Sequence, residues 1–452
     1  MKVPRGLARV CALPVTAIAL GMPVCSSADA FDLTVTLNTN TPGAAVATAF
    51  SKFCGSLSSL ANRSADQQQL ATICSASATA VNSADAYEAL SARSVTAETT
   101  LSSRGPGAAF TWGGGGKRLV DAAKATAARA PEYEFDAERI PARWITAEAD
   151  TKTTATESAT TLPDGLLSKR WGGFVDASFA RAQQDITNTE AGFKTQGNGL
   201  TGGVDYRYSD VLFFGSAARY LRNHGDLSGS TGSVKGGDFN LLLFGTYYPL
   251  QNLFVETSLG ITRGNYDLTR NISFNLSGTP TTATAKSSTD TGALALTVAG
   301  GYDYAFRGNN AAFNASLLWS KNNIDGFTES GAGGFNLAVG DQTIDMLTLN
   351  LGAQISRAIS TTWAVVLPQF AATWVHQFQD SGQKISARFT ADPTATPFSF
   401  TTETRDADYF KLVLRSAFVF PRGISGFVNY ERWAGYDNYA QSAVALGGRW
   451  EF

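Results

Sequence analysis

Histidine, methionine and cysteine are nearly absent: the 452 residues hold 2, 3 and 4 of them. So few leave no Cys/His spacing for zinc, and the acidic residues never fall at the spacing of a calcium loop. No metal site, cofactor or catalytic residue is expected. Charge is also sparse. Asp, Glu, Lys and Arg make up 16 % of the chain and cancel to −2. With no basic run, a nucleic-acid partner is not expected. Nor is there any stretch near the roughly 18 apolar residues that a membrane helix requires.

What the chain has is glycine (44 residues), aromatics (11 %) and alternation. The final segment places Val444, Leu446, Gly448, Trp450 and Phe452 on one face of a strand and Ala445, Gly447, Arg449 and Glu451 on the other. Segments of this kind recur from Trp171 to the end. Backbone polar groups cannot be left unpaired in hydrocarbon, so a sheet crosses a membrane only by closing on itself. Its strands then show lipid an apolar face and the lumen a polar one, with a period of two. The expected fold is an all-β transmembrane barrel of twelve antiparallel strands, preceded by a small α-helical, linker-rich N-terminal region.

Four zones follow. Residues 1–30 read as a signal peptide: Lys2, Arg5 and Arg9 precede an apolar stretch at 10–24, and Ala28-Asp29-Ala30 offers a small-x-small cleavage pattern. Lipidation at Cys25 is disfavoured by Met22-Pro23-Val24 before it. Residues 31–130 form a short helical region. Ala47, Phe50, Phe53, Cys54 and Leu57 recur at helical spacing, as do Leu70, Ile73 and Cys74, and 117–130 suggests a further helix. Removal of the signal leaves Cys54 and Cys74, an even count that implies one disulfide in an exported protein. Residues 131–168 form a polar linker or lumen segment with too few apolar side chains for a core. Residues 169–452 form the barrel.

The expected strands are 171–183, 199–208, 211–222, 236–248, 252–268, 290–306, 310–322, 343–357, 361–377, 404–420, 423–434 and 440–452. Short turns between them alternate with long loops at 184–198, 223–235, 269–289, 323–342 and 378–403. This is the arrangement of outer-membrane barrels, with periplasmic turns and extracellular loops. Pro368 lacks a ladder donor and predicts a bulge. Inner faces are expected to be polar throughout. Asp176, Asp205, Arg207, Arg219, Asp238, Lys411, Arg415, Glu431 and Arg449 would point into the lumen, where mixed signs pair across strands.

A series of short patterns runs through this region: Gly245-Thr246-Tyr247-Tyr248, Arg263-Gly264-Asn265-Tyr266-Asp267, Gly301-Tyr302-Asp303-Tyr304, Ile324-Asp325-Gly326-Phe327, Val375-His376-Gln377-Phe378, Asn429-Tyr430-Glu431 and Gly448-Arg449-Trp450-Glu451-Phe452. In this order they resemble the C-terminal β-domain of autotransporters (type V secretion). The resemblance implies a twelve-stranded barrel in the outer membrane of a Gram-negative bacterium, anchoring and translocating its own N-terminal segment. It implies a barrel-insertion signal at Phe452, with Trp450 and Gly448 on the same face. The partners it implies are outer-membrane lipid, periplasmic chaperones and the insertion machinery. A monomer is expected, and the sequence specifies no ligand for the loops. The chain departs from the family pattern in carrying only 31–168 where typical members have a long passenger.

Two other classes are weighed. A small porin-like channel would use the N-terminal region as a plug or periplasmic domain. A barrel-borne hydrolase would need His376 or His224, with Asp380 or Asp226 nearby in sequence, and a nucleophile within reach. Gly225-Asp226-Leu227-Ser228 breaks the Gly-Asp-Ser lipase pattern, and Arg118 stands where a phosphate loop ending in Gly116-Lys117 needs Ser or Thr.

Overall fold

The structure is a computed structural model that describes residues 41–77, 89–90 and 170–452, apart from 251, 277–278, 307, 380 and 421–423. The signal segment, the helix expected at 117–130 and the linker at 131–168 lie outside the described residues. All described residues belong to one structural unit.

Two helices come first. α1 (Pro42–Ser59) starts where Thr41 accepts a hydrogen bond from the Ala44 N–H at 3.2 Å and Pro42 supplies a first-turn residue with no N–H to lose. α2 (Ala65–Ser77) opens with a reciprocal capping box. Gln67 N–H donates to Ser64 Oγ at 3.2 Å, and Ser64 N–H donates to Gln67 Oε1 at 3.0 Å. Between them Arg63 donates to the carbonyls of Leu57 and Ser58, satisfying the end of α1.

The strands are β1 (Trp171–Gln184), β2 (Phe193–Arg207), β3 (Leu212–Leu227), β4 (Gly232–Leu250), β5 (Leu253–Leu276), β6 (Thr279–Phe306), β7 (Asn309–Ile324), β8 (Phe327–Thr328), β9 (Leu337–Val339), β10 (Gln342–Arg357), β11 (Ile359–Ser360), β12 (Val365–Gln377), β13 (Lys384–Phe389), β14 (Phe398–Thr401), β15 (Asp408–Val419), β16 (Ile424–Ala434) and β17 (Tyr439–Glu451). Twelve of them, all but β8, β9, β11, β13 and β14, form a closed antiparallel barrel. Each pairs with its sequence neighbours, and β1 pairs with β17 to close the ring.

Face assignment follows the alternation. Val175, Phe179, Leu200, Leu241, Leu243, Ile261, Leu296, Leu317, Leu351, Leu414 and Leu446 are exposed on the outer surface. Such a continuous apolar belt has no place in water. On β6 it runs from Leu294 to Phe306. At about 3.3 Å per residue and a tilt of ~40° this covers roughly 30 Å, the thickness of a bilayer's hydrocarbon core.

Three expectations are corrected. First, the ladder skips Pro368 without a bulge. Ser356 faces Gln369 and Ile359 faces Val366 in one unbroken register, and Pro368 faces Ser416 on the other side. The missing donor falls where β10 gives way to β11, so no bond is broken.

Second, the inner face is not polar throughout. Val365, Leu367, Ala417 and Val419 cluster near the turn end, as do Ala217, Leu242 and Phe244 against Phe174. Apolar side chains fill that end of the bore.

Third, the long loops contain strand, and two of them, 223–235 and 269–289, are mostly strand. β3 and β4 continue to a four-residue connection at 228–231, and β5 and β6 continue to Leu276 and Thr279. Residues 327–339 and 384–401 build a second sheet of order β14-β13-β9-β8.

β5 shows why. From Val255 to Ile261 its outer face is apolar apart from Thr257, and its inner face carries Glu256, Ser258, Gly260 and Thr262. From Arg263 onward the outer face is polar, while Tyr266, Leu268, Ile272, Phe274 and Leu276 are buried on the inner one. The alternation reverses polarity where the strand leaves the belt. β6 reverses at the matching level, with Leu294 opposite Ile261 and Gly292 opposite Arg263. Beyond that level water lies outside, so the inner faces must form a core of their own.

Candidate functional site

Two places concentrate polar and buried chemistry: the lumen and the cap over its loop end. All nine charged residues expected inside lie on inward-facing positions of their strands. Around Asp238 the side chains interlock. Tyr266 Oη donates to Asp238 Oδ2 at 2.6 Å, and Asn223 Nδ2 lies 3.2 Å from the same oxygen and 3.0 Å from Tyr266 Oη. Arg219 donates to Ser178 at 3.1 Å and sits in the field of Asp176 and Asp238. Across the bore, Trp433 Nε1 donates to Glu431 at 2.9 Å, and Lys411 lies 5.0 Å from the Trp433 ring centroid. Arg207 lies over the Phe213 ring, and Arg415 faces Asn429 across the β15–β16 pair.

The seam between first and last strands has its own clamp. Arg449 of β17 reaches across β1 to Asp205 of β2, donating through both terminal nitrogens, one at 2.8 Å. The pair is buried, with side-chain exposures of 11 % and 3 %. The guanidinium passes directly over Gly172, where an added Cβ would lie 2.0 Å from Arg449 Nη2. Only a glycine permits the crossing. The ladder runs to the terminus: Phe452 N–H donates to the Trp171 carbonyl at 3.0 Å. Gly448, Trp450 and Phe452 share the outer face, with Trp450 and Phe452 half-exposed.

At the loop end, the four-stranded sheet and the projecting β5–β6 hairpin form a cap. Its centre is Arg270, which donates to both oxygens of Glu329 and to the Phe335 carbonyl. Glu329 also accepts from Leu337 N–H at 2.9 Å, and both charges are almost fully buried. Phe274 packs edge-on to Phe335 at 5.8 Å.

The helices dock on this cap. Cys54 and Cys74 are joined by a disulfide, with Cα atoms 5.5 Å apart. Closing a loop of 20 residues stabilises the hairpin by about 3 kcal/mol. Phe50 and Phe53 of α1 meet Phe389 of β13 at 5.2 and 6.1 Å, and Phe389 meets Phe398 of β14 at 5.7 Å. On α2, Gln69 accepts from the Gly334 N–H at 2.8 Å. A Cβ at Gly334 would lie 2.2 Å from the Asp66 carbonyl oxygen, so this contact too needs glycine.

Sequence reasoning missed Tyr266 and Asn223 as partners of Asp238, and it missed the Arg270–Glu329 pair. The reversed polarity of β5 was the available signal for the cap.

The histidines lie outside the lumen. His376 is on the outer face between Trp374 and Phe378, with Nδ1 3.0 Å from Asp408. The acid beside it is Asp408, on the paired strand, in place of the expected Asp380, which is outside the described residues. His224 lies 3.3 Å from Asp226, and both are exposed.

A family model described as the autotransporter β-domain matches residues 173–431, more than half of the chain. Outer membrane protein A of Rickettsia rickettsii is 28 % identical over 236 residues, half of this chain. The protein of that name from Rickettsia conorii gives the same identity. The match spans only 10 % and 11 % of those relatives' own length. Among solved structures, the translocator domain of the autotransporter NalP from Neisseria meningitidis aligns with 64 % of this chain and 91 % of its own, at 14 % identity and a TM-score of 0.49. The β-domain of the Bordetella autotransporter BrkA aligns with 62 % and 99 %, at 17 % identity and 0.45.

Proposed function

The chain belongs to the autotransporter β-domain family and is an outer-membrane β-barrel of type V secretion; from that premise we propose that it carries its own N-terminal region to the cell surface and holds the α1–α2 hairpin there against its loops. One observation carries the reading. The hairpin packs on the cap at the loop end, whereas β1 starts at Trp171 at the turn end. The chain that joins them must pass from one end of the barrel to the other. With turns in the periplasm and loops outside, that passage is translocation.

The barrel works as a transporter, and no hydrolytic role is assigned. His376 looks toward lipid and is held by Asp408, and His224 lies on the outer face with Asp226. The terminal strand, with Phe452, Trp450 and Gly448, is read as the signal for the barrel-insertion machinery. Residues 31–168 act as a short passenger and linker delivered by periplasmic chaperones. The protein works as a monomer.

The test places an epitope between Ala30 and Pro42. Antibody labelling of intact cells is the expected result. Labelling only after the outer membrane is opened would overturn display and leave a channel plugged from within.

A further inference from the structure

Six strands rise from turn end to loop end: β1, β3, β5, β7, β12 and β16. On each, the first outward polar residue above the apolar belt is basic: Arg181, Arg222, Arg263, Lys321, His376 and Arg432. On five of the six the outward residue two positions below is aromatic: Phe179, Tyr220, Trp319, Trp374 and Tyr430. On β5 it is Ile261. At the turn-end border the outward described strand positions carry one cation, Arg357. Arg170, just before β1, adds a second by reaching the outward Tyr206 at 3.3 Å, so cations are concentrated at the loop-end edge of the belt.

Two of the six converge. Ser442 of β17 faces Arg181 of β1 on one side and Arg432 of β16 on the other. All three stand in one register row on the outer surface, with the arginines two strand spacings, about 10 Å, apart across the serine. One step toward the membrane the same strands present Phe179, Val444 and Tyr430, again in one row. The remaining register neighbours of the arginines are Gln196 and Leu412, neither acidic. The outward acids nearby are Asp185 above Arg181, which accepts from Gln183 at 3.0 Å, and Asp226 of β3 and Asp408 of β15, which lie against His224 and His376. Among the described residues no ion pair reaches either arginine, so two guanidinium forks and a hydroxyl stand above an apolar floor at the height of lipid headgroups. Planar forks of this kind match phosphate geometry.

We propose that Arg181, Ser442 and Arg432 form a clamp for a phosphate of a phosphorylated glycolipid in the leaflet around the loop end. The choice of glycolipid rests on the reading that this end faces outward. Arg181 and Arg432 each donate to the phosphate oxygens, the Ser442 hydroxyl donates between them, and acyl chains lie along Phe179, Val444 and Tyr430. Arg222 and Arg263 hold further headgroups more loosely, whereas Lys321 faces Asp345 and His376 is bonded to Asp408.

The test uses the full-length protein extracted from the outer membrane in non-ionic detergent. It is titrated with a bis-phosphorylated diglucosamine glycolipid, the same lipid stripped of phosphate, or phosphatidylglycerol, and bound lipid is counted by native mass spectrometry. The expected result is retention of the phosphorylated glycolipid in preference to both others. Joint replacement Arg181→Gln and Arg432→Gln should weaken it by about tenfold or more, whereas Arg357→Gln leaves it unchanged. The Arg181→Lys and Arg432→Lys pair, which keeps both charges, should retain part of the binding, and folding is checked by the heat-dependent gel shift of the barrel. Equal retention of phosphorylated and stripped lipid, undiminished binding by the glutamine pair, or a preference for phosphatidylglycerol would overturn the clamp. Because binding is read in detergent, it is independent of the epitope result. An epitope hidden in intact cells, with phosphate-dependent binding kept, would sink the display reading alone.

Discussion

Arg449 shows how much a single residue reveals before the fold is known. Its inward direction follows from parity alone, because Trp450 and Phe452 take the outer face of the same strand. Its partner does not follow. Asp205 is 244 positions away and becomes a neighbour only when the first and last strands meet. The same holds for Asp238, whose polar surroundings were expected but whose bonds to Tyr266 and Asn223 come from two other strands. Gly172 is the residue-scale cost of the seam, an empty place kept so that a guanidinium can cross. Removing one member of a buried ion pair costs up to about 3–5 kcal/mol, here lessened because Arg449 keeps its longer contact with Glu451 at 3.9 Å. Asp205→Ala should therefore lower the temperature at which the folded barrel loses its heat-dependent gel shift. A joint Asp205→Ala and Arg449→Met variant should recover part of that loss. If Asp205→Ala leaves the transition unmoved, the seam is held by its backbone ladder and the ion pair contributes little.

At the scale of elements, the strands within the membrane were legible and the loops were not. Alternation marks a strand when one side is lipid and the other water, and twelve segments satisfied it. In β5 the same period continues past Arg263 with the faces exchanged. A reader expecting apolar residues outside sees the pattern end at that point and assigns a loop. The short runs at 327–339 and 384–401 carry too few residues to signal strand alone, and gain their meaning from Gln69, Phe50 and Phe53, more than 250 positions earlier. The helices were legible from spacing, and the Cys54–Cys74 link from cysteine count and export. Their docking surface was not. The cap depends on Arg270 and Glu329 as the barrel depends on its ladders. Arg270→Ala should expose the cap to surface proteolysis while leaving the barrel's gel shift intact, and Gly334→Val should loosen α2 alone. A variant that loses the barrel shift together with the cap would show that the two fold as one unit.

For the whole molecule, the decisive fact is the placement of its two ends. The hairpin lies where the loops gather, and the strand that begins the barrel starts at the far side of the belt. No single segment of sequence contains that relation. It appears once the ring closes and the hairpin finds Phe389. On the proposed reading, a protein arranged this way delivers a short segment through itself and keeps it. The hairpin is retained by aromatic packing and by the Gln69–Gly334 bond as well as by the chain that leads to Arg170. The most direct measurement inserts a specific protease site among residues 91–130 and adds the protease to intact cells. The account predicts that the chain is cut and that the hairpin stays with the cells until denaturant or heat releases it. A chain cut only after the outer membrane is opened would contradict display, and a hairpin found at once in the medium would contradict docking.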